Sequence, residues 1–123
     1  VTMSYDVQLY RKETMIREQQ SKDENFFDNA ANLEPFTDTQ KEELHERLLA
    51  YNFTVTKQEQ GNTQYQFEEG LSISAMLTDR GLYFQTGWDQ EGIFEIGMTA
   101  SEFTDTGEFA KYDPQNGGWE ETD

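Results

Sequence analysis

Cysteine is absent from this chain. That excludes disulfides, thiolate nucleophiles, cysteine-ligated zinc and iron–sulfur clusters. Histidine occurs once, at position 45, so no histidine cluster is available for a metal. Proline occurs only twice, and no apolar run approaches the length needed to span a bilayer. Residues 1–11 lack a basic stretch followed by an apolar one, so no secretory leader is expected. Val1 and Thr2 read as additions ahead of a native start at Met3. These absences together point to a cytoplasmic protein without membrane contact.

Basic residues are the other scarcity. Nine lysines and arginines face 25 aspartates and glutamates, a net charge of −16. The excess is concentrated late, because residues 61–123 hold two bases, Arg80 and Lys111, against thirteen acids. A polyanion repels nucleic acid and excludes it as a direct ligand. It favours a basic protein partner, since complementary fields speed and orient encounter. Acidity also keeps a small protein soluble, and net charge alone favours that reading; the concentration of acids in one half argues back toward a partner.

What the sequence has in plenty is aromatic bulk: nine Phe, six Tyr and two Trp in 123 residues. That is enough to build one compact core without metal or disulfide staples, and a single domain spanning 1–123 is expected. Residues 4–10 alternate, with Tyr5, Val7 and Leu9 opposite Ser4, Asp6 and Gln8, as in a strand with one wet side. Residues 12–20 are good helix formers, anchored on this reading by Met15 and Ile16. Phe26 and Phe27 interrupt a polar loop with side chains that demand burial.

After Pro35, the pairs Thr37/Gln40 and Thr39/Glu42 each fit a capping box. Leu44, Leu48 and Tyr51 then repeat at helical spacing, and Asn52 stops the helix. From Phe53 the period becomes two. Strands are expected around Val55, around Tyr65 and Phe67, through Leu71, Ile73, Ala75 and Leu77, and over 82–86. Gly61-Asn62 and Asp79-Arg80-Gly81 mark tight turns. Residues 87–92 read as a loop holding Trp88. Phe94, Ile96 and Met98 alternate with Ile93, Glu95 and Gly97 and read as a last strand. Residues 99–123 read as irregular, although Phe109, Tyr112 and Trp119 require packing. The expected fold is α+β: an antiparallel sheet of five to six strands, with one or two helices on one face.

Groups able to carry chemistry are few. His45 lies among Glu42, Glu43 and Glu46 and reads as a solvated helix residue. None of Ser4, Ser21, Ser72, Ser74 or Ser101 sits in a nucleophile elbow. Calcium-loop, P-loop and dinucleotide fingerprints are absent. No cofactor, metal site or catalytic residue is therefore expected. Paired carboxylates in an aromatic-lined cleft could still hydrolyse glycosides, and this is the chief rival reading. A structural subunit and a salt-adapted acidic surface are the others. The polar strand faces, with Gln64, Gln66, Ser72, Ser74 and Thr78, could accept a partner at small desolvation cost.

Two short stretches carry a family resemblance. Met3-Ser4-Tyr5-Asp6-Val7-Gln8-Leu9 resembles the opening strand of the small immunity proteins of bacterial polymorphic toxin systems. Tyr112-Asp113-Pro114-Gln115, followed by Gly117-Gly118-Trp119, is similar to an ending found in some of them. The resemblance implies a small α+β protein that binds and blocks a toxin, often a basic nuclease, with no catalytic residue of its own. With the charge, it makes an acidic inhibitor of a cationic protein the leading expectation. The contact residues expected are Glu68, Glu69, Asp89, Glu91, Glu102 and Asp105, with Trp88 as an apolar anchor.

Overall fold

A computed structural model describes residues 4–21, 23–67, 73–87, 90–114 and 118–120. Its frame is a seven-stranded antiparallel sheet in the order β2-β3-β4-β5-β1-β6-β7. The strands are β1 (Ser4–Arg11), β2 (Phe53–Glu59), β3 (Asn62–Phe67), β4 (Ile73–Leu77), β5 (Leu82–Gly87), β6 (Phe109–Asp113) and β7 (Gly118–Trp119). Three helices accompany them: α1 (Lys12–Gln20), α2 (Asp38–Ala50) and α3 (Gln90–Glu102). The α+β class and the antiparallel meander are as expected, with more strands and one more helix than the sequence reading supplied.

Strand alternation sorts side chains to two faces. Tyr5, Val7 and Leu9 of β1, Tyr65 and Phe67 of β3, Ile73, Ala75 and Leu77 of β4, and Leu82 and Phe84 of β5 join one core. Leu44 and Leu48 of α2, with Ile96 and Ala100 of α3, close it from above. The opposite face carries a smaller aromatic cluster at one end, where Tyr10, Tyr112 and Trp119 meet Phe26, Phe27 and Leu33 from the segment after α1. Glu18 of α1 accepts a hydrogen bond from Trp119 Nε1 at 2.8 Å. Helical structure thus lies against both faces, not one. Phe26 and Phe27 are gathered in as their bulk required.

The α2 cap is the first of the two that the sequence allowed. Thr37 Oγ1 accepts from the Gln40 backbone N–H at 3.1 Å, and Gln40 Oε1 accepts from the Thr37 N–H at 3.0 Å. Asn52, at φ 71°, ends the helix in the left-handed region. The β2–β3 turn falls one residue earlier than expected. Glu59 pairs with Asn62, so Gln60 and Gly61 make the turn, and Gly61 takes φ +82°. In α1 the buried residue is Thr14, whose hydroxyl accepts from the Glu34 backbone N–H at 2.8 Å. Met15 is half-buried and Ile16 exposed, so neither is the anchor the composition suggested.

The main correction concerns residues 90–102. They form α3, not a loop followed by a strand. Ile96, Ala100 and Phe103 are fully buried, and Gly92 and Thr99 lie on the same inner face. Phe94 and Met98, the inward residues of the expected strand, point to solvent at 65 % and 45 % exposure. The terminal stretch read as irregular supplies β6, which pairs with β1 from Gln8↔Tyr112 to Arg11↔Phe109.

Two glycines inside α3 make a contrast. A methyl group on Gly92 would run into Thr86 Oγ1, whose side chain is buried beneath the helix. A methyl on Gly97 would meet only Lys111 Nζ, at 3.7 Å. Replacing glycine by alanine in a helix gains up to about 1 kcal/mol, whereas overpacking costs roughly 1–3 kcal/mol. Gly97→Ala should therefore raise the urea midpoint, and Gly92→Ala should lower it. Thr86→Ala, which empties the space, should make the Gly92→Ala penalty smaller than in the parent. Equal effects at the two glycines would contradict this packing.

Candidate functional site

Helical periodicity gives α3 a continuous outward stripe. Glu91, Phe94, Glu95, Met98 and Glu102 recur in steps that keep them on one side, opposite buried Ile96 and Ala100. The helix contains three glutamates and no base. Glu91 sits in the first turn, where the helix dipole favours a carboxylate. The stripe is therefore an apolar pair, Phe94 and Met98, set among acids. Isolated exposed apolar residues are ordinary on a protein surface; Phe94, the most exposed of the described large apolar residues, stands one helical turn from exposed Met98.

Beside the stripe, between α3 and β6, runs a groove of about 350 Å³ lined by Tyr5, Ile93, Phe94, Met98, Lys111 and Asp113 among others. The bare Cα of Gly97 opens its wall. Its floor is polar and tightly bonded. Lys111 Nζ donates to Gly97 O at 3.1 Å, to Ser101 Oγ at 3.0 Å and to Glu120 Oε2 at 3.2 Å. Ser101 Oγ donates to the same Glu120 oxygen at 2.7 Å. Tyr5 Oη donates to Asp113 Oδ2 at 2.6 Å, with both side chains buried. This floor is a rigid base against which α3 is held.

Of the expected contact residues, Glu91 and Glu102 are exposed on the α3 stripe. Asp105 lies three residues beyond the helix and is engaged by Arg47, whose guanidinium donates at 2.8 and 3.2 Å. Those hydrogen bonds hold its carboxyl below the usual carboxylate range. Glu68, Glu69, Trp88 and Asp89 lie outside the described residues. Phe94, Glu95 and Met98 were missed, because a strand reading placed Phe94 and Met98 in the core. Spacing the same residues at 3.6 per turn would have found them.

His45 is half-buried rather than fully solvated. Its Nδ1 lies 2.7 Å from the buried Tyr65 hydroxyl, tying α2 to β3. Among the described residues, no group of three or more His, Asp or Glu is arranged to hold a metal ion. No helix among them is long and apolar enough to cross a membrane. No protein-family model, curated protein or solved structure matches the chain.

Burial pushes the hydroxyls of Tyr5 and Tyr65 up to about 12, and for Tyr5 the Asp113 hydrogen bond adds to it. Each holds its proton more tightly folded than unfolded. The stability so gained is whole below the ordinary value of 10.0 and is lost as pH climbs toward 12. Tyr5→Phe should therefore be less stable than the parent at neutral pH, and the gap should narrow through that interval. A gap independent of pH, measured by urea denaturation, would count against the Tyr5–Asp113 contact.

Proposed function

We propose that this protein is an acidic protein-binding module of the immunity type, which neutralises a cationic toxin or nuclease by covering a basic surface of it. The observation that carries the reading is the α3 stripe, where Phe94 and Met98 stand exposed among Glu91, Glu95 and Glu102. An aromatic anchor with a charged rim is how a compact interface combines affinity with choice of partner. The rim carboxylates here would meet lysine and arginine, steering encounter over distance and fixing orientation on contact.

The cations of this chain add weight. Arg11, Arg17, Lys41, Arg47, Lys57 and Lys111 each pair with a carboxylate of the chain itself. Asp105, engaged by Arg47, is left out of the proposed surface. Glu91, Phe94, Glu95, Met98 and Glu102 compose it.

The hydrolase reading has less support. Of the carboxylates at the α3 groove, Asp113 accepts from Tyr5 Oη and Glu120 accepts from Ser101 Oγ and Lys111 Nζ. That arrangement is suited to holding structure rather than to delivering protons to a substrate.

Capture of the tagged protein's partner from a lysate of its source, at low and moderate salt, tests the proposal. The wild type should retain one stoichiometric basic protein. Phe94→Ala should weaken binding by about 30-fold or more, the usual effect of removing an aromatic anchor. Glu91→Lys with Glu95→Lys should weaken it and flatten its salt dependence. Because Phe94 and Glu91 are exposed, with Glu95 half-buried beside them, Phe94→Ala and Glu91→Lys should each shift stability by less than about 0.5 kcal/mol. A basic partner held equally well by all variants would remove α3 from the interface. The absence of any such partner would remove the inhibitor reading itself.

A further inference from the structure

Among the described residues, the face of the sheet turned away from α2 and α3 is covered at one end, by the aromatic cluster around Tyr10. Over β1 to β5 it forms a second groove, of about 370 Å³. Strand register orders its side chains into two rows running across the strands. One row is Asp6, Gln85, Ser74 and Gln66; the other is Gln8, Tyr83, Met76 and Gln64. With strands about 4.8 Å apart, each row of four extends roughly 14 Å. The sheet's main-chain groups are engaged in the ladder, so only these side chains can recognise a ligand.

Their chemistry is selective. Among the described residues, four of the chain's eleven glutamines line the groove, with one acid, Asp6, and no base. In so acidic a chain this face is nearly neutral. Burial raises the Asp6 carboxyl above its usual range, the direction expected where charge is disfavoured. Among the described lining residues an anionic ligand finds no cation, since the neighbouring Lys57 on β2, opposite Gln64, is paired with Glu59, and a polycationic one finds a single carboxylate.

The amides are also oriented. Gln8 Oε1 accepts from Tyr10 Oη at 2.8 Å, which leaves its N–H donors for a ligand. Gln66 Nε2 donates to Ile73 O at 3.0 Å, which leaves its carbonyl oxygen as an acceptor. Fixed donors and acceptors side by side match hydroxyl groups, each of which donates and accepts. Tyr83 and Met76 add an aromatic and an apolar surface in the middle of one row.

We infer that this groove binds a neutral, polyhydroxylated chain, an oligosaccharide lying across the strands of the sheet. A peptide fits less well. Its polar groups are those of its backbone, which add naturally to a strand edge and not to a face whose ladder is complete. The site is on the opposite side of the sheet from the α3 stripe and does not depend on the function proposed there.

The test is nuclear magnetic resonance on the ¹⁵N-labelled full chain, following glutamine side-chain amides. The probes are maltohexaose, cellohexaose, N-acetylated chitohexaose and a neutral Ser/Gly/Asn hexapeptide. At least one glycan should shift the Gln8, Gln64, Gln66 and Gln85 amides saturably, with Kd on the order of 0.1–1 mM. Gln66→Ala with Gln85→Ala should weaken that binding at least tenfold. Gln64→Ala, whose side chain makes no hydrogen bond among the described residues, should weaken it without disturbing the fold. Phe94→Ala should leave it unchanged, which separates this site from the α3 surface. Silence with all three glycans at about 10 mM overturns the inference, and so does a response to the peptide alone.

Discussion

Everything in this fold depends on β1 lying inside the sheet. It pairs with β5 along Ser4↔Gly87 to Leu9↔Leu82, and with β6 along Gln8↔Tyr112 to Arg11↔Phe109. Without it, β2–β5 would be a four-stranded meander with an open edge, and β6–β7 would be an isolated hairpin. The hairpin would be marginal alone, and the meander would expose an unpaired edge. The alternation of β1 serves both sides at once, since Tyr5, Val7 and Leu9 enter the main core while Tyr10 anchors the aromatic cluster opposite. Joining residues about a hundred positions apart also costs chain entropy before any contact rewards it. The buried Tyr5–Asp113 hydrogen bond, between β1 and β6, is among the contacts that offset that cost.

The charge of the chain is a second constraint. A surplus of 16 negative charges repels itself in the compact state. Pairs such as Lys41–Asp79 and Arg47–Asp105 are largely surface contacts, and each contributes little in isolation. Their larger effect is on what remains. With most cations spent within the molecule, the outward field is set by unpaired carboxylates. That field belongs to the whole surface, whereas an apolar anchor among acids belongs to one helix. Net charge is a property of the chain as a whole, whereas the α3 stripe sets an exposed Phe and Met among acids at one place on the described surface.

How much could be read from the sequence followed local periodicity. β1, β3, β4 and β5 alternate cleanly because one face is buried and the other wet, and α2 carries its cap and its Leu44–Leu48 stripe in plain view. α3 was misread because Phe94, Ile96 and Met98 mimic a strand, while two glycines lower the intrinsic helix preference by about 1 kcal/mol each. Tertiary packing decides it, since Gly92 lets the helix settle onto Thr86 and Ile96 enters the core. β6 escaped for a different reason. Phe109 and Ala110 are both buried, so adjacent residues face inward on opposite sides and the period-two signal vanishes. Errors in the candidate site follow from the α3 error: the acids Glu91 and Glu102 were found by charge alone, and the apolar residues between them were assigned to the interior.

The two faces of the sheet are chemically unlike, and the difference has a structural origin. On the helical side, α3 must bury Ile96, Ala100 and Phe103, so a 13-residue helix also presents an outer stripe that the core does not constrain. That stripe is free to carry acids and an exposed Phe. On the other side the side chains alternate with core residues on the same strands, and their spacing is set by the ladder. Charges placed directly opposite one another there would repel, in a chain with few cations to separate them. Glutamine, serine and threonine solve that problem, because they are soluble without charge and tolerate close cross-strand neighbours. The same choice that keeps the open face from destabilising the sheet leaves it rich in oriented amides. A nearly neutral groove is thus a physical consequence of building an acidic protein around an open antiparallel sheet face, and it leaves the two surfaces chemically distinct.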